Sequence, residues 1–166
     1  SFIRSYVPEL PVPMEEVARA AELIDKAERP MVVYGQGVIL GGAEKALAEF
    51  IEKGDIPAAS TLLGLAALPS SSRLYQGMIG MHGNVAPNIK TNECDVLIAV
   101  GMRFDDRVTG TLSKYAKQAK VIHIDIDASE IGKIVPVEVG INANAAEVLP
   151  ALTSMIGARR RDAWVD

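Results

Sequence analysis

Asp95-Val96-Leu97-Ile98-Ala99-Val100 is an unbroken apolar run behind one aspartate, and Gly101-Met102-Arg103-Phe104-Asp105-Asp106-Arg107-Val108-Thr109-Gly110 follows it at once. A short run with no polar alternation reads as a strand buried on both faces, as in a parallel sheet covered by helices. Runs of the same kind recur on either side. Met31-Val32-Val33-Tyr34 and Pro57-Ala58-Ala59-Ser60 precede it, and Lys120 to Ile126 and Val137 to Ile141 follow. Helical patterns alternate with them. From Met14 to Lys26 the apolar positions Val17, Ala20, Ala21, Leu23 and Ile24 keep the helical period, and further helices are expected from Ala43 to Glu52 and from Ala145 to Ile156. Alternating strands and helices predict an α/β fold, a doubly wound parallel sheet with helices on both faces and right-handed connections. Ligands of such sheets bind beyond the carboxyl ends of the strands.

With 166 residues, 49% hydrophobic and 23% charged, the chain is long enough for one domain with a real core. A net charge of −4 argues against coating a nucleic acid, and no apolar stretch is long enough to span a bilayer. The single cysteine, Cys94, rules out an internal disulfide and fits a reducing compartment. It reads as a packing or surface residue, since no base lies near it in sequence to make a nucleophile. Prolines at 8, 11 and 13 make residues 1–13 an extended N-terminal linker. The domain proper is expected over 14–156. Residues 157–166, with Arg159-Arg160-Arg161, are expected to form a solvated C-terminal linker or helix end.

The unusual residues cluster where the strands end. Gly35-Gln36-Gly37 lies between a strand and a helix. It is either a tight turn or a place where backbone approaches a diphosphate or sugar and helix N–H groups meet an anion. It is not G-x-G-x-x-G, because Leu40 stands in the third glycine's place, and Ser60-Thr61 ends the next strand where an acid would hold a ribose. Gly77-Met78-Ile79-Gly80-Met81-His82-Gly83-Asn84 reads as too glycine-rich for an ordinary element. Methionine packs adaptably on flat rings, and His82 is either structural or a ligand contact. No spacing of His, Cys or acids suits a metal. In the loop after the Val96–Val100 run, Arg103 and Arg107 either pair with Asp105 and Asp106, or one arginine reaches a diphosphate while the acids hold the other. Asp125 can accept hydrogen bonds from a ribose or adenine, and Asp127 can cap a helix. His123, between Ile122 and Ile124, reads as a core or inter-strand residue.

These segments resemble the catalytic subunits of acetolactate synthase (acetohydroxyacid synthase). Gly101 to Gly110 looks like the family's G-x-R-F-D-D-R-V-T-G. Ile79 to Gly83 looks like L-G-M-H-G, Pro57 to Leu65 like P-V-A-S-T-L-M-G-L, and His123 to Lys133 like H-I-D-I-D-x-x-E-I-G-K. The resemblance covers nearly the whole chain and the middle third of a family polypeptide. It implies the Rossmann-like, DHS-like NAD/FAD-binding type of fold and the role of a central FAD-binding domain in a thiamine-diphosphate-dependent enzyme. That enzyme condenses two pyruvates, or pyruvate and 2-oxobutyrate, in branched-chain amino acid biosynthesis. FAD contacts carry over to Gly35, Gln36 and Gly37; to Thr61, Leu62 and Leu63; to Gly80, Met81 and His82; to Gly101, Met102, Arg103, Asp105, Arg107 and Val108; and to Asp125 and Ile126. Asp106 and Arg107 fall beside the substrate channel.

By the same resemblance, thiamine diphosphate and Mg²⁺ belong to flanking N- and C-terminal domains. Their activating glutamate and Asp-Gly metal motif are absent here, so the chain alone is expected to be inactive. A homo-oligomer with a regulatory subunit, and a cytoplasmic location in a bacterium, are also implied. Two positions depart from the family pattern: Gln36 replaces a glycine of the plant members, and Ala143-Asn144-Ala145 stands where the family has Gly-Asp-Val. The alternatives are a stand-alone nucleotide-binding or scaffold domain and an NAD-dependent, sirtuin-like enzyme.

Overall fold

The computed structural model describes residues 11–61, 73–78, 90, 91, 93–102, 118–131 and 136–166. In chain order the helices are α1 (Met14–Lys26), α2 (Gln36–Leu40), α3 (Glu44–Gly54), α4 (Ala145–Met155) and α5 (Asp162–Val165). The strands are β1 (Pro30–Tyr34), β2 (Ala58–Ser60), β3 (Tyr75–Met78), β4 (Val96–Val100), β5 (Lys120–Asp125) and β6 (Val139–Asn142), and a 3₁₀ turn covers Ala128–Glu130. The six strands form one sheet in the order β3-β2-β1-β4-β5-β6, with every pairing parallel. The expected Rossmann-like α/β fold is therefore the observed one.

Strand parity divides the core into two layers. Val32 and Tyr34, Ile98 and Val100, and Ile122 and Ile124 face a large cluster with Val17, Ala20, Ala21 and Ile24 of α1, Leu47, Phe50 and Ile51 of α3, and Val148, Leu149 and Leu152 of α4. The helical residues recur at three- and four-residue spacing, which sets one apolar stripe of each helix on the sheet. Met31, Val33, Leu97, Ala99 and Val121 face the opposite, smaller cluster, which also holds Cys94, Met102 and Trp164. Cys94 is thus a packing residue: burial first, and then Asp95, push its thiol up to about 12, and its Sγ–H donates to the Thr91 carbonyl.

Three elements differ from the expectation. The glycine-rich stretch begins with the edge strand β3, half-buried along its length, and Gly77 sits at φ +104°. Residues 36–40 form α2, whereas the residue pattern predicts a turn or an anion contact at Gly35-Gln36-Gly37 and a next helix beginning at Ala43. The C-terminal stretch carries α5 and is docked rather than solvated, since Arg161 and Trp164 are buried while Arg159 and Arg160 are exposed.

Arg161 explains the docking. At 5% exposure, its guanidinium donates to the carbonyls of Ile24 and Ala27 behind α1 and of Gly54 at the end of α3. These carbonyls lie at helix ends, where the Ile24 carbonyl also accepts from the Ala27 N–H, and a cation suits the negative end of a helix. Burial, and then the neighbouring Arg159, lower the Arg161 guanidinium to about 10, which leaves it charged at neutral pH. Beside it, Asp55 accepts from Arg73 at 2.6 Å and from the Arg161 backbone N–H. Trp164 Nε1 donates to the Pro30 carbonyl at 2.7 Å, and the Lys90 ammonium lies 4.6 Å from the centre of the Trp164 ring. The partners lie where helices end and strands begin, so the segment closes the amino edge of the sheet.

Two outcomes follow from this clamp. Arg161→Ala removes the guanidinium donors from the carbonyls of Ile24, Ala27 and Gly54 and should lower the unfolding free energy by about 3 kcal/mol, with a red shift in emission from Trp164, the single tryptophan. Burial alone would raise the Asp55 carboxyl. The Arg73 hydrogen bond, the Arg161 N–H and the charges of Arg73 and Arg160 together outweigh it and hold it below the usual range. A depressed folded pKa adds stability above the unfolded value of about 3.9 and loses it as the pH falls through the folded value. The stability gap between the parent chain and Asp55→Asn, measured by urea unfolding, should therefore be full at pH 7 and shrink below about pH 4.

Candidate functional site

The carboxyl edge of the sheet collects the strand-end residues in one row. Thr61 follows β2, Gly35 to Gly37 follow β1, Gly101 and Met102 follow β4, and Asp125 and Ile126 lie at the end of β5. The strand order sets them side by side and reverses its direction of growth between β1 and β4, the switch point where ligands of such sheets bind.

At the switch point two backbones touch. Gly35 N donates to the Val100 carbonyl at 3.1 Å and Gly37 N to the Gly101 carbonyl at 2.8 Å. A Cβ on Gly37 would lie 2.7 Å from Gly101 Cα, and one on Gly35 would lie 2.8 Å from Met102 Cβ. Gly101 itself is left-handed at φ +58°, and a Cβ there would meet Val38 N at 2.8 Å. These glycines serve the contact between the two loops. The idea that helix N–H groups here await an anion is corrected for the ones the structure pairs: Gly35, Gly37 and Val38 all donate to carbonyls of the protein. The Gln36 side chain is exposed over this contact, whereas the Met102 side chain is core, at 2% exposure. Thr61 is nearly buried, and its N–H donates to the Tyr34 carbonyl at 3.0 Å.

Farther along the edge, Asp125 is 8% exposed. Its Oδ1 accepts the Asp127 N–H at 2.9 Å, and its Oδ2 lies 3.6 Å from His123 Nε2. Asp127 caps the 3₁₀ turn by accepting from Ser129 N, as read from the sequence. Ile126 next to it is 61% exposed. Two contributors were not legible beforehand. Asn142, at the end of β6, donates its amide to the carbonyls of both Asp125 and Ile126. His123, read as a core or inter-strand residue with no partner named, reaches the Met102 carbonyl at 3.2 Å. A polar residue ending an apolar strand was the available signal for Asn142. At the departure from the family pattern, Ala143 is core and Asn144 caps α4 by accepting from Ala146 N, so the amide keeps the capping function a carboxylate would have.

Leu62, Leu63, Gly80, Met81, His82, Arg103, Asp105, Asp106, Arg107 and Val108 lie outside the described residues. Among the described residues, no group of His, Cys, Asp or Glu is arranged to hold a metal ion, and no helix is long and apolar enough to cross a membrane.

Clash and strain can be separated by mutation. Gly101→Ala meets both a left-handed φ and a backbone collision, and should cost about 2–4 kcal/mol. Gly42→Ala meets φ +68° with nothing within 4 Å of the new Cβ, and should cost about 1–2 kcal/mol. Equal losses in chemical denaturation would remove the collision from the account.

Residues 17–152 match the family model described as the thiamine pyrophosphate enzyme central domain. The chain is 43% identical over 154 residues to the probable acetolactate synthase large subunit of Methanocaldococcus jannaschii, covering 91% of this chain and 26% of that protein. It is 45% identical over 144 residues to the acetolactate synthase isozyme 2 large subunit of Escherichia coli, covering 87% of this chain and 26% of that protein. With the large subunit of Corynebacterium glutamicum it shares 43% over 156 residues, covering 91% and 25%. The chain thus spans about a quarter of the length of these curated relatives. On the fold, the row of strand ends and a family match over most of its length, the chain belongs to the thiamine pyrophosphate enzyme central-domain family.

Proposed function

We propose that this chain is the central, FAD-binding domain of an acetolactate synthase large subunit. The observation that carries this reading is the coincidence of two things. The described residues implied as flavin contacts stand on one edge of the sheet across its switch point. The relatives matched across most of the chain bear the name acetolactate synthase large subunit. The parent enzyme joins two pyruvates, or pyruvate and 2-oxobutyrate. Thiamine diphosphate and Mg²⁺ work in flanking domains, and the assembly is a homo-oligomer with a regulatory subunit in the cytoplasm. This reading is preferred to an NAD-dependent, sirtuin-like one because the family is that of thiamine enzymes.

The residues present fit an extended dinucleotide. Gly35, Gly37 and Gly101 let the two loops at the switch point lie in backbone contact beneath the place where a ligand would bind. The exposed Gln36 amide can hydrogen-bond to a polar group lying over it. Ile126, apolar and solvated beside Asp125, offers a face that a flat ring can cover. Arg103 and Arg107 would carry the diphosphate by charge-assisted hydrogen bonds, and Asp106 and Arg107 would stand toward the substrate channel. The flavin undergoes no net redox change in this reaction, so the domain's task is to hold and orient it.

Titrating the chain with FAD and following flavin fluorescence should show weak but saturable binding, reduced about tenfold or more in Arg103→Ala, as expected for loss of a charge-assisted contact worth ~1.5–3 kcal/mol. A folded chain that leaves the fluorescence unchanged at high flavin concentration overturns the flavin assignment. With pyruvate, thiamine diphosphate and Mg²⁺, the chain alone should form no acetolactate.

A further inference from the structure

We propose that His123 is a positioning residue of the carboxyl-edge site: its Nε2–H holds the Met102 carbonyl and thereby sets how the chain leaves β4. The inference rests on the flavin reading for its function and on the structure for its geometry.

His123 lies in the middle of β5, fully buried among Val121, Ile122 and Ile124 between Lys120 at the start of the strand and Asp125 at its end. An imidazole without exposure is costly unless hydrogen-bonded, so its presence there asks for a partner. Two acceptors face Nε2: the Met102 carbonyl at 3.2 Å and Asp125 Oδ2 at 3.6 Å. A carbonyl and a carboxylate can only accept, so the proton is on Nε2, and the ring donates to Met102 with the Asp125 carboxylate favouring that tautomer.

The register shows what this hydrogen bond does. Ala99 pairs with His123, and the last ladder bond between the two strands runs from Gly101 N to the Ile124 carbonyl at 2.9 Å. Met102, three residues beyond Ala99, nonetheless has its carbonyl within 3.2 Å of His123 Nε2. The chain has turned at Gly101, whose φ is +58°, onto the face of the smaller core, where the Met102 side chain is buried. Glycine permits the turn and His123 fastens its far side. Side chains two apart on a strand share a face, so the same ring also stands against Asp125. One imidazole thus ties the residue preceding Arg103 to the carboxylate at the end of the next strand.

The test uses the ¹⁵N-labelled chain and two variants at position 123. Without nucleotide, the imidazole nitrogen spectrum should show a proton on Nε2 of His123, with the resonance identified by its loss in His123→Gln. The Nδ1–H tautomer, which leaves Nε2 bare, overturns the contact whatever the chain binds. In FAD titrations His123→Gln, whose amide can place a donor at the same reach, should stay within threefold of the parent. His123→Leu should bind tenfold or more weakly. Val33→Ala, which loses stability through a cavity in the same core layer, should bind like the parent. Equal weakening in His123→Leu and Val33→Ala, or no rescue by glutamine, overturns the positioning role. A parent chain that binds no FAD yet shows the Nε2–H tautomer defeats the flavin reading and supports the His123–Met102 contact, so the two failures are told apart.

Discussion

The contact between the chain leaving β1 and the chain leaving β4, to which Gly35, Gly37 and Gly101 bring no Cβ, is the constraint on which the carboxyl edge depends. Gly37 and Gly101 press backbone to backbone, and Gly35 lies against Met102. Any side chain at these positions would drive the two loops apart. The hydrogen bonds from Gly35 and Gly37 across to Val100 and Gly101 would go with them. Because the strand order reverses its direction of growth at this point, the same contact forms the floor of the crevice, and each neighbouring strand end is placed relative to it. Thr61 hangs from the Tyr34 carbonyl on one side, and Gly101 is joined to the Ile124 carbonyl on the other.

The polar groups buried around this frame are of two kinds. At the carboxyl edge they are short side chains, two of them acting locally, in the Asx turn of Asp125 and the Asn144 cap, and one, the Asn142 amide, reaching across to two carbonyls of the neighbouring strand end. At the amino edge one long side chain, Arg161, gathers carbonyls from the ends of two helices that are far apart in sequence. Both follow from the rule that a buried backbone group must find a partner. They differ in what they leave at the surface, since the amino edge is covered by the C-terminal segment, whereas the carboxyl edge keeps Gln36 and Ile126 in solvent.

Much of this was legible in the residue pattern, and the parts that were not have identifiable reasons. β1, β4 and β5 could be read because strands covered on both faces have no polar alternation. β3 could not: it is a half-buried edge strand with a left-handed glycine inside it, so neither hydrophobicity nor propensity marks it. Three adjacent arginines look solvated by composition, and what buries Arg161 is a set of carbonyls from Ile24, Ala27 and Gly54, which no local pattern displays. That the strand ends gather along one edge followed from the alternation of strands and helices, whereas which of their residues would touch a ligand was implied by the family resemblance. His123 was legible as buried but not as a donor to Met102, because its partner is a backbone atom of a neighbouring strand that has just turned.

Asp55 is the one non-glycine residue with positive φ among the described residues, at +54°, and it is also the carboxylate shared by Arg73, Arg160 and the Arg161 backbone. A left-handed helix terminus favours glycine, asparagine or aspartate, and an anionic hub requires an acid. Aspartate alone meets both demands, so two unrelated selection pressures converge on one codon. A lineage that drifted to glycine there would gain backbone ease while stranding two guanidinium groups and the Arg161 N–H. The side-chain partnership of position 55 is thus with positions 73 and 160, while position 161 offers it a backbone donor that any residue but proline would supply.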